Sequence, residues 1–173
     1  LNLRYLFTFI DGIIENKLLR GLDVDLKEDI AEIAEKLLLR ILDINGGSYT
    51  DSNLNDLDAS SSLVSLYQQQ ERYEEAEGTL LLLIGNIDNM SKENPRQMVS
   101  YLETLASLYE DWEKYDKAES IYLKILEIRN ETLGVNHPLS IQPMRGLFRI
   151  NRKQSHFKKA EQRLSQILMI EEN

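Results

Sequence analysis

Covalent or metal chemistry needs nucleophiles, bases and ligands at particular spacings, and this chain offers few. It holds two histidines, His137 and His156, and no cysteine. His137 precedes Pro138 in a turn and His156 follows Ser155 at a helix start, so neither falls into a Ser/His/Asp arrangement or a metal-ligand spacing. Both read as caps or surface residues. The run Ser60, Ser61, Ser62 has no accompanying base and reads as a helix first turn rich in small polar residues. The carboxylates of EEAE (74–77) and DKAE (116–119) fall at helix starts, where negative charge complements the helix dipole. Gly46 and Gly47 follow a helix rather than linking a strand to one, so they form no phosphate loop. Catalytic residues, cofactor-binding residues and metal ligands are therefore expected to be absent, and the chain is read as a non-enzyme. One grouping does have chemical reach. Between Met144 and Arg163 stand Arg145, Arg149, Arg152, Lys153, Lys158, Lys159 and Arg163, against Glu161 as the single acid. Guanidinium groups grip carboxylates through paired hydrogen bonds, so this stretch suits an acidic partner.

The rest of the chain is charged in the opposite sense. Residues 1–86 carry 7 basic against 16 acidic residues, whereas 87–173 carry 13 of each, for a net charge of −9. An acidic chain argues against non-specific nucleic-acid binding, which depends on counterion release by clustered Lys and Arg. At 173 residues with 42% apolar content the chain can bury a real core. The absence of cysteine fits a reducing compartment, with a cytoplasmic location as the default. The most apolar run, LNLRYLFTFIDGII at the start, is interrupted by Arg4 and Asp11 and reads as a buried helix, so no membrane insertion is expected. The chain opens on Leu without a signal-like segment, and it reads as a piece of a longer protein.

The elements that must position these side chains are written in a repeat. LYQQQERYEEAE (66–77) returns as LYEDWEKYDKAE (108–119), 42 positions on. The same step links Ala34, Ala76, Ala118 and Ala160, each followed by Glu, and also Leu38, Leu80, Tyr122 and Leu164, and Ile41, Leu83, Ile125 and Ile167. Spacings of four and three from each Ala place these residues on one helical stripe. A second helix precedes each stripe, at LDASSSLVSLYQQQ (57–70) and PRQMVSYLETLASLYEDW (95–112), with Asn94-Pro95 and His137-Pro138 as start signals. One helix pair cannot bury its own stripe, so pairs must stack.

Leu105, Ala106, Tyr109, Tyr115, Ala118, Glu119 and Tyr122, followed by LEIRNETLGVNHP (126–138), resemble the tetratricopeptide repeat, and more narrowly the 42-residue type found in kinesin light chains. The resemblance covers residues 54–171. It implies an all-α fold, a right-handed solenoid of antiparallel helix pairs with about eight helices. One domain over 1–173 is expected, in units of roughly 1–46 (degenerate), 54–91, 95–134 and 138–173. The first unit departs most: its helices, about 4–20 and 30–44, are separated by the long connection GLDVDLKED. In the fourth unit Phe148 stands where a small residue is usual and Asn151 where Tyr is usual. The family places Gly between the helices of a unit; here Glu71, Glu113 and Ser155 stand there, and each would cost about 1 kcal/mol if left-handed.

The resemblance also implies which residues meet a ligand, namely the outward positions of each first helix on the concave face. These are Ser61, Ser65, Gln68 and Gln69 in the second unit, and Ser100, Glu103, Ser107, Glu110 and Asp111 in the third. In the fourth they are Arg145, Arg149, Arg152 and Lys153. The expected role is a scaffold binding a peptide or protein segment, acidic in character and held at the basic end. A ligand-sensing regulatory domain and a self-association module using uncovered terminal helices are the alternatives. The Asn residues with which kinesin light chains grip a cargo backbone are not reproduced: the matching places hold Ser61 and Ser62, Glu103 and Thr104, Arg145 and Gly146. Trp112, beside the turn, reads as a cap on the local core, with an exposed anchor as the other reading.

Overall fold

In the computed structural model of the protein, residue 12 and residues 23–44, 54–88 and 95–172 are described. All regular structure among them is helical. The chain separates into two compact units, Leu1–Asn86 and Ile87–Asn173, with the division in the last turn of a helix. The first unit holds α1 (Val24–Ile44), α2 (Leu54–Gln69) and most of α3 (Tyr73–Asp88). The second holds α4 (Pro95–Asp111), α5 (Tyr115–Leu133), a 3₁₀ turn (Pro138–Ser140), α6 (Ile141–Lys153) and α7 (Phe157–Glu171). The helix expected over residues 4–20 lies outside the described residues.

Among the described residues, the apolar positions that recur at 42 are buried, except Leu164, which is exposed. Ala34, Ala76, Ala118 and Ala160 are all buried, as are Leu63, Leu105 and Leu147 on the first helices of the pairs. A side chain larger than Ala at the first set would hold the two helices apart, because close-packed interiors leave no room for added methylenes. Ser60 and Ser62 are buried within α2, and Ser61 between them is exposed. The serine run is thus a close-packing surface in the second turn of the helix, one turn later than its composition suggests.

Two helix starts differ from expectation. α1 begins at Val24 rather than near residue 30, because the Asp23 carboxylate accepts a hydrogen bond from the Leu26 N–H (2.8 Å) and Asp25 occupies the first turn. That is an N-cap with its dipole-compatible neighbour, hidden in a polar stretch that reads as a connection. His137-Pro138 opens the 3₁₀ turn rather than α6 itself: the His137 ring accepts from the Leu139 N–H (3.2 Å), and the α-helix follows at Ile141.

The turn inside each pair has the same geometry three times. Glu71, Glu113 and Ser155 adopt φ of 58°, 57° and 60°. The N–H of Arg72, Lys114 and His156 reaches back to the carbonyls of Tyr67, Tyr109 and Asn151 at 2.9, 2.8 and 2.7 Å. The N–H of the left-handed residue itself donates to Gln68, Glu110 or Arg152 (3.1–3.2 Å). This is the paired closure of the Schellman motif, and the residue that completes it also starts the next helix: the carbonyls of Arg72, Lys114 and His156 accept from Ala76, Ala118 and Ala160. No Gly is needed because the hydrogen bonds and the packed stripes on both sides over-determine the turn. Replacing Glu71, Glu113 or Ser155 with Gly, all exposed, should relieve this strain and stabilise the protein by roughly 0.5 to 1 kcal/mol each. Urea titration checks this, with a raised midpoint at unchanged slope as the expected result.

Candidate functional site

Helical period sends the residues between buried positions to the surface, and the expected ligand-facing side chains follow it. On α2, Ser61, Ser65 and Gln69 are exposed and Gln68 is half-buried. On α4, Ser100, Ser107 and Asp111 are exposed, and Glu103 and Glu110 are half-buried between Leu102, Leu105 and Leu108. On α6, Arg145, Arg149, Arg152 and Lys153 are all exposed, while Leu147 and Ile150 between them are fully buried.

In the second unit most of these charges are already engaged. Tyr122 of α5 donates its hydroxyl to Glu110 Oε1 (2.5 Å), and Arg149 of α6 donates to the same carboxylate through Nη2 (2.7 Å) and Nε (3.2 Å). One carboxylate thereby ties three consecutive helices. Burial and the bond to Glu110 push the Tyr122 phenol above its ordinary range, and the Glu110 bond likewise raises Arg149. The Tyr122 ring reaches this position by lying against Gly146: a Cβ on residue 146 would stand 2.4 Å from the ring carbon Cζ. Gly146 therefore has a steric duty on α6. Glu103 accepts from Arg129 Nη2 (2.6 Å), and the other end of the Arg129 guanidinium donates to the Leu139 carbonyl, so α4 and α5 are tied to the 3₁₀ turn. Arg145 pairs with Glu171 of α7 (3.0 Å), Arg152 lies over the Phe148 ring and Lys153 over the Tyr115 ring.

Concave surfaces form among the described residues of this unit. A small cleft of about 310 Å³ is lined by Glu103, Tyr122, Gln142, Pro143 and Arg149. A larger one of about 660 Å³ has apolar walls from Val99, Leu133 and Leu139, with Ser100, Glu103 and Arg129 as polar groups and Arg96 among its lining residues. Trp112, half-buried, stacks on Tyr109 (ring centroids 6.5 Å, 18°) with Lys114 and Lys117 over its ring, as its reading as a local cap requires. Periodicity could not find Arg129 or the partner of Glu110, because a salt bridge between helices leaves no mark in the apolar pattern.

The first unit has its own network. Arg72 holds the Glu35 carboxylate through both terminal nitrogens (2.6 and 3.0 Å), the Tyr67 hydroxyl adds a third donor (3.1 Å), and the guanidinium lies over the Tyr67 ring at 4.4 Å. The Arg72 bonds hold the Glu35 carboxyl below its ordinary range, while burial and the Glu35 charge push the Tyr67 phenol up to about 12. Among the described residues, no group of three His, Asp or Glu is placed to hold a metal ion, and no helix is long and apolar enough to cross a membrane.

Within each unit the described helices follow one another as helical hairpins with exposed polar faces, the arrangement of a helical repeat. Residues 97–170 match the family model of the tetratricopeptide repeat, so this segment carries the repeats that LYEDWEKYDKAE resembles. Tetratricopeptide repeats as a class mediate contacts between proteins. The fold is similar to that of a kinesin light chain candidate from Podosopora anserina with nearly identical TPR-like repeats. That match has a TM-score of 0.68 at 15% identity, covering 98% of this chain and 87% of that one. A single-residue variant of the same protein matches at 0.67 and 14% identity, over 97% and 86% of the two chains. BtubC (BKLC) from P. vanneervenii matches at 0.63 and 20% identity, over 86% of this chain and 57% of its own length. No curated protein sequence matches the chain.

The Glu35 network gives the first unit an acid-sensitive link. A carboxyl depressed in the folded state contributes stability that is complete above its unfolded value and is lost as pH falls through the folded one. Glu35→Gln should therefore flatten the acid limb of the stability profile below the ordinary glutamate range. At neutral pH it should cost roughly 1 to 2 kcal/mol, the lower part of the range for charged hydrogen bonds, since Arg72 is 34% exposed. Denaturant titrations from pH 7 downward check both.

Proposed function

We propose that the chain is a protein-interaction scaffold, working as one array of repeats in the cytoplasm, whose second unit takes an extended acidic peptide along the exposed faces of α4 and α6. The observation that carries this reading is the row Arg145, Arg149, Arg152 and Lys153, all exposed on one helix above a buried apolar stripe. A peptide carboxylate meets Arg152 and Lys153 directly. At Arg149 and Arg145 it competes with Glu110 and Glu171, which act as internal stand-ins for the ligand. Exchange of one carboxylate for another keeps the guanidinium paired, so entry of the peptide leaves no charge unsatisfied. The face selects acidic segments by pairing and repels basic ones, and its affinity falls with ionic strength. Ser61, Ser65, Gln68 and Gln69 on α2 suit neutral backbone contacts in the first unit.

The test is binding of a fluorescent peptide of alternating Glu and Leu, read by anisotropy against its Lys counterpart. The acidic peptide should bind, and Arg149→Glu combined with Arg152→Glu should weaken it at least tenfold at unchanged helicity. Glu110→Gln, which loosens the internal competitor, should tighten it. Equal affinity for both peptides, or binding indifferent to the double reversal, would overturn the reading.

A further inference from the structure

The larger cleft, beside the start of α4, holds groups that the helix packing leaves unused. It lies wholly within the second unit, between the first turns of α4, the end of α5 and the 3₁₀ turn. α5 stops at Leu133, where Gly134 adopts φ of 88° and donates its N–H to the Asn130 carbonyl. α6 starts only at Ile141, so the short turn Pro138–Ser140 closes that side. The open volume of about 660 Å³ is in the range of small-molecule sites. Its walls are apolar. Val99 is 8% exposed on the α4 side, while Leu133 and Leu139 remain 39% and 54% exposed. A single leucine in water is ordinary, but two that line one concavity are placed to share an apolar guest, whose burial removes their surface from water.

The charged groups select the head of that guest. The Arg129 side chain is 10% exposed, and its guanidinium donates to Glu103 Oε1 through Nη2 and to the Leu139 carbonyl through Nη1. Those bonds engage two of the five N–H groups that a guanidinium carries. Arg96, exposed in the first turn of α4, has no hydrogen-bond or ionic partner among the described residues, and the Ser100 hydroxyl one turn on has none either. Thr132, by contrast, donates its hydroxyl to the Ile128 carbonyl (2.7 Å), which leaves it no proton for a guest. Two guanidiniums against one carboxylate give the cleft a formal charge of +1, and the α4 dipole adds to it at the Arg96 end. One carboxylate on the guest balances this charge, whereas a cation would be repelled by Arg96 and a dianion would leave an excess.

We propose that this cleft is a binding site for an amphipathic organic monoanion, of which a medium-chain aliphatic carboxylate is the simplest member. Arg96 and Ser100 hold the carboxylate, the hydrocarbon lies against Val99, Leu133 and Leu139, and Glu103 stays on Arg129 and keeps a second anion out. The site stands apart from the acidic-peptide reading, which depends on the arginines of α6, none of which lines this cleft.

Isothermal titration calorimetry of the chain with sodium butanoate, hexanoate and octanoate tests this, with octylammonium chloride as the charge-reversed control. Saturable one-to-one binding is expected, tightening several-fold with each added pair of methylenes, and octylammonium should be inert. Ser100→Trp, which fills the cleft from an exposed position, and Arg96→Glu, which reverses its unpaired charge, should each weaken octanoate at least tenfold with circular dichroism unchanged. Arg149→Glu with Arg152→Glu, the variant that removes acidic-peptide binding, should leave octanoate binding intact, so the two readings fail separately. Affinity independent of chain length, equal binding of octylammonium, or octanoate binding indifferent to both Arg96→Glu and Ser100→Trp would each overturn the proposal. Loss of octanoate only in the Arg149 and Arg152 variant would assign the anion to α6 and overturn it as well.

Discussion

The structure depends on a turn that closes each helical hairpin with two backbone hydrogen bonds and one left-handed residue. At 71, 113 and 155 the same dihedral recurs without a glycine, and the residue that ends the closure begins the following helix. This leaves no slack: the phase of the second stripe is set by the first within a residue. Ala76, Ala118 and Ala160 can then be buried against the preceding helix every time. Loss of the turn geometry would rotate the second helix and carry its apolar face into water, a far larger penalty than the strain itself.

With that register in place, polar links are added where helices of one unit come together. Glu110 joins Tyr122 and Arg149, Glu103 joins Arg129, and Glu35 joins Tyr67 and Arg72. The exposed arginines of α6 are consequently a poised surface rather than a bare one, since two of them already rest on carboxylates.

Much of this was legible in the letters that recur at 42. Ala34 with its three successors and the leucines of the inner helices follow from one period and the demand that a stripe be buried, whereas the left-handed conformation at Glu71, Glu113 and Ser155 entered only as a condition attached to the resemblance, which places Gly there. The remainder was hidden for physical reasons. Asp23 starts α1 through a single hydrogen bond inside a stretch whose composition resembles a connection. Gly146 has meaning only once Tyr122 is known to lie on it. Arg145 and Arg149 looked free because a salt bridge between helices 26 or 39 residues apart has no signature in apolar spacing.

Within each unit, the described helices touch chiefly their neighbours in the chain, a consequence of the hairpin turns. Under tension, a unit wired this way has, among its described residues, no contact between elements far apart in the chain that must break first. It should yield by peeling, one hairpin at a time, each releasing a length near that of 42 extended residues, about 150 Å. Resistance within each unit would then be set locally by the packing of each pair.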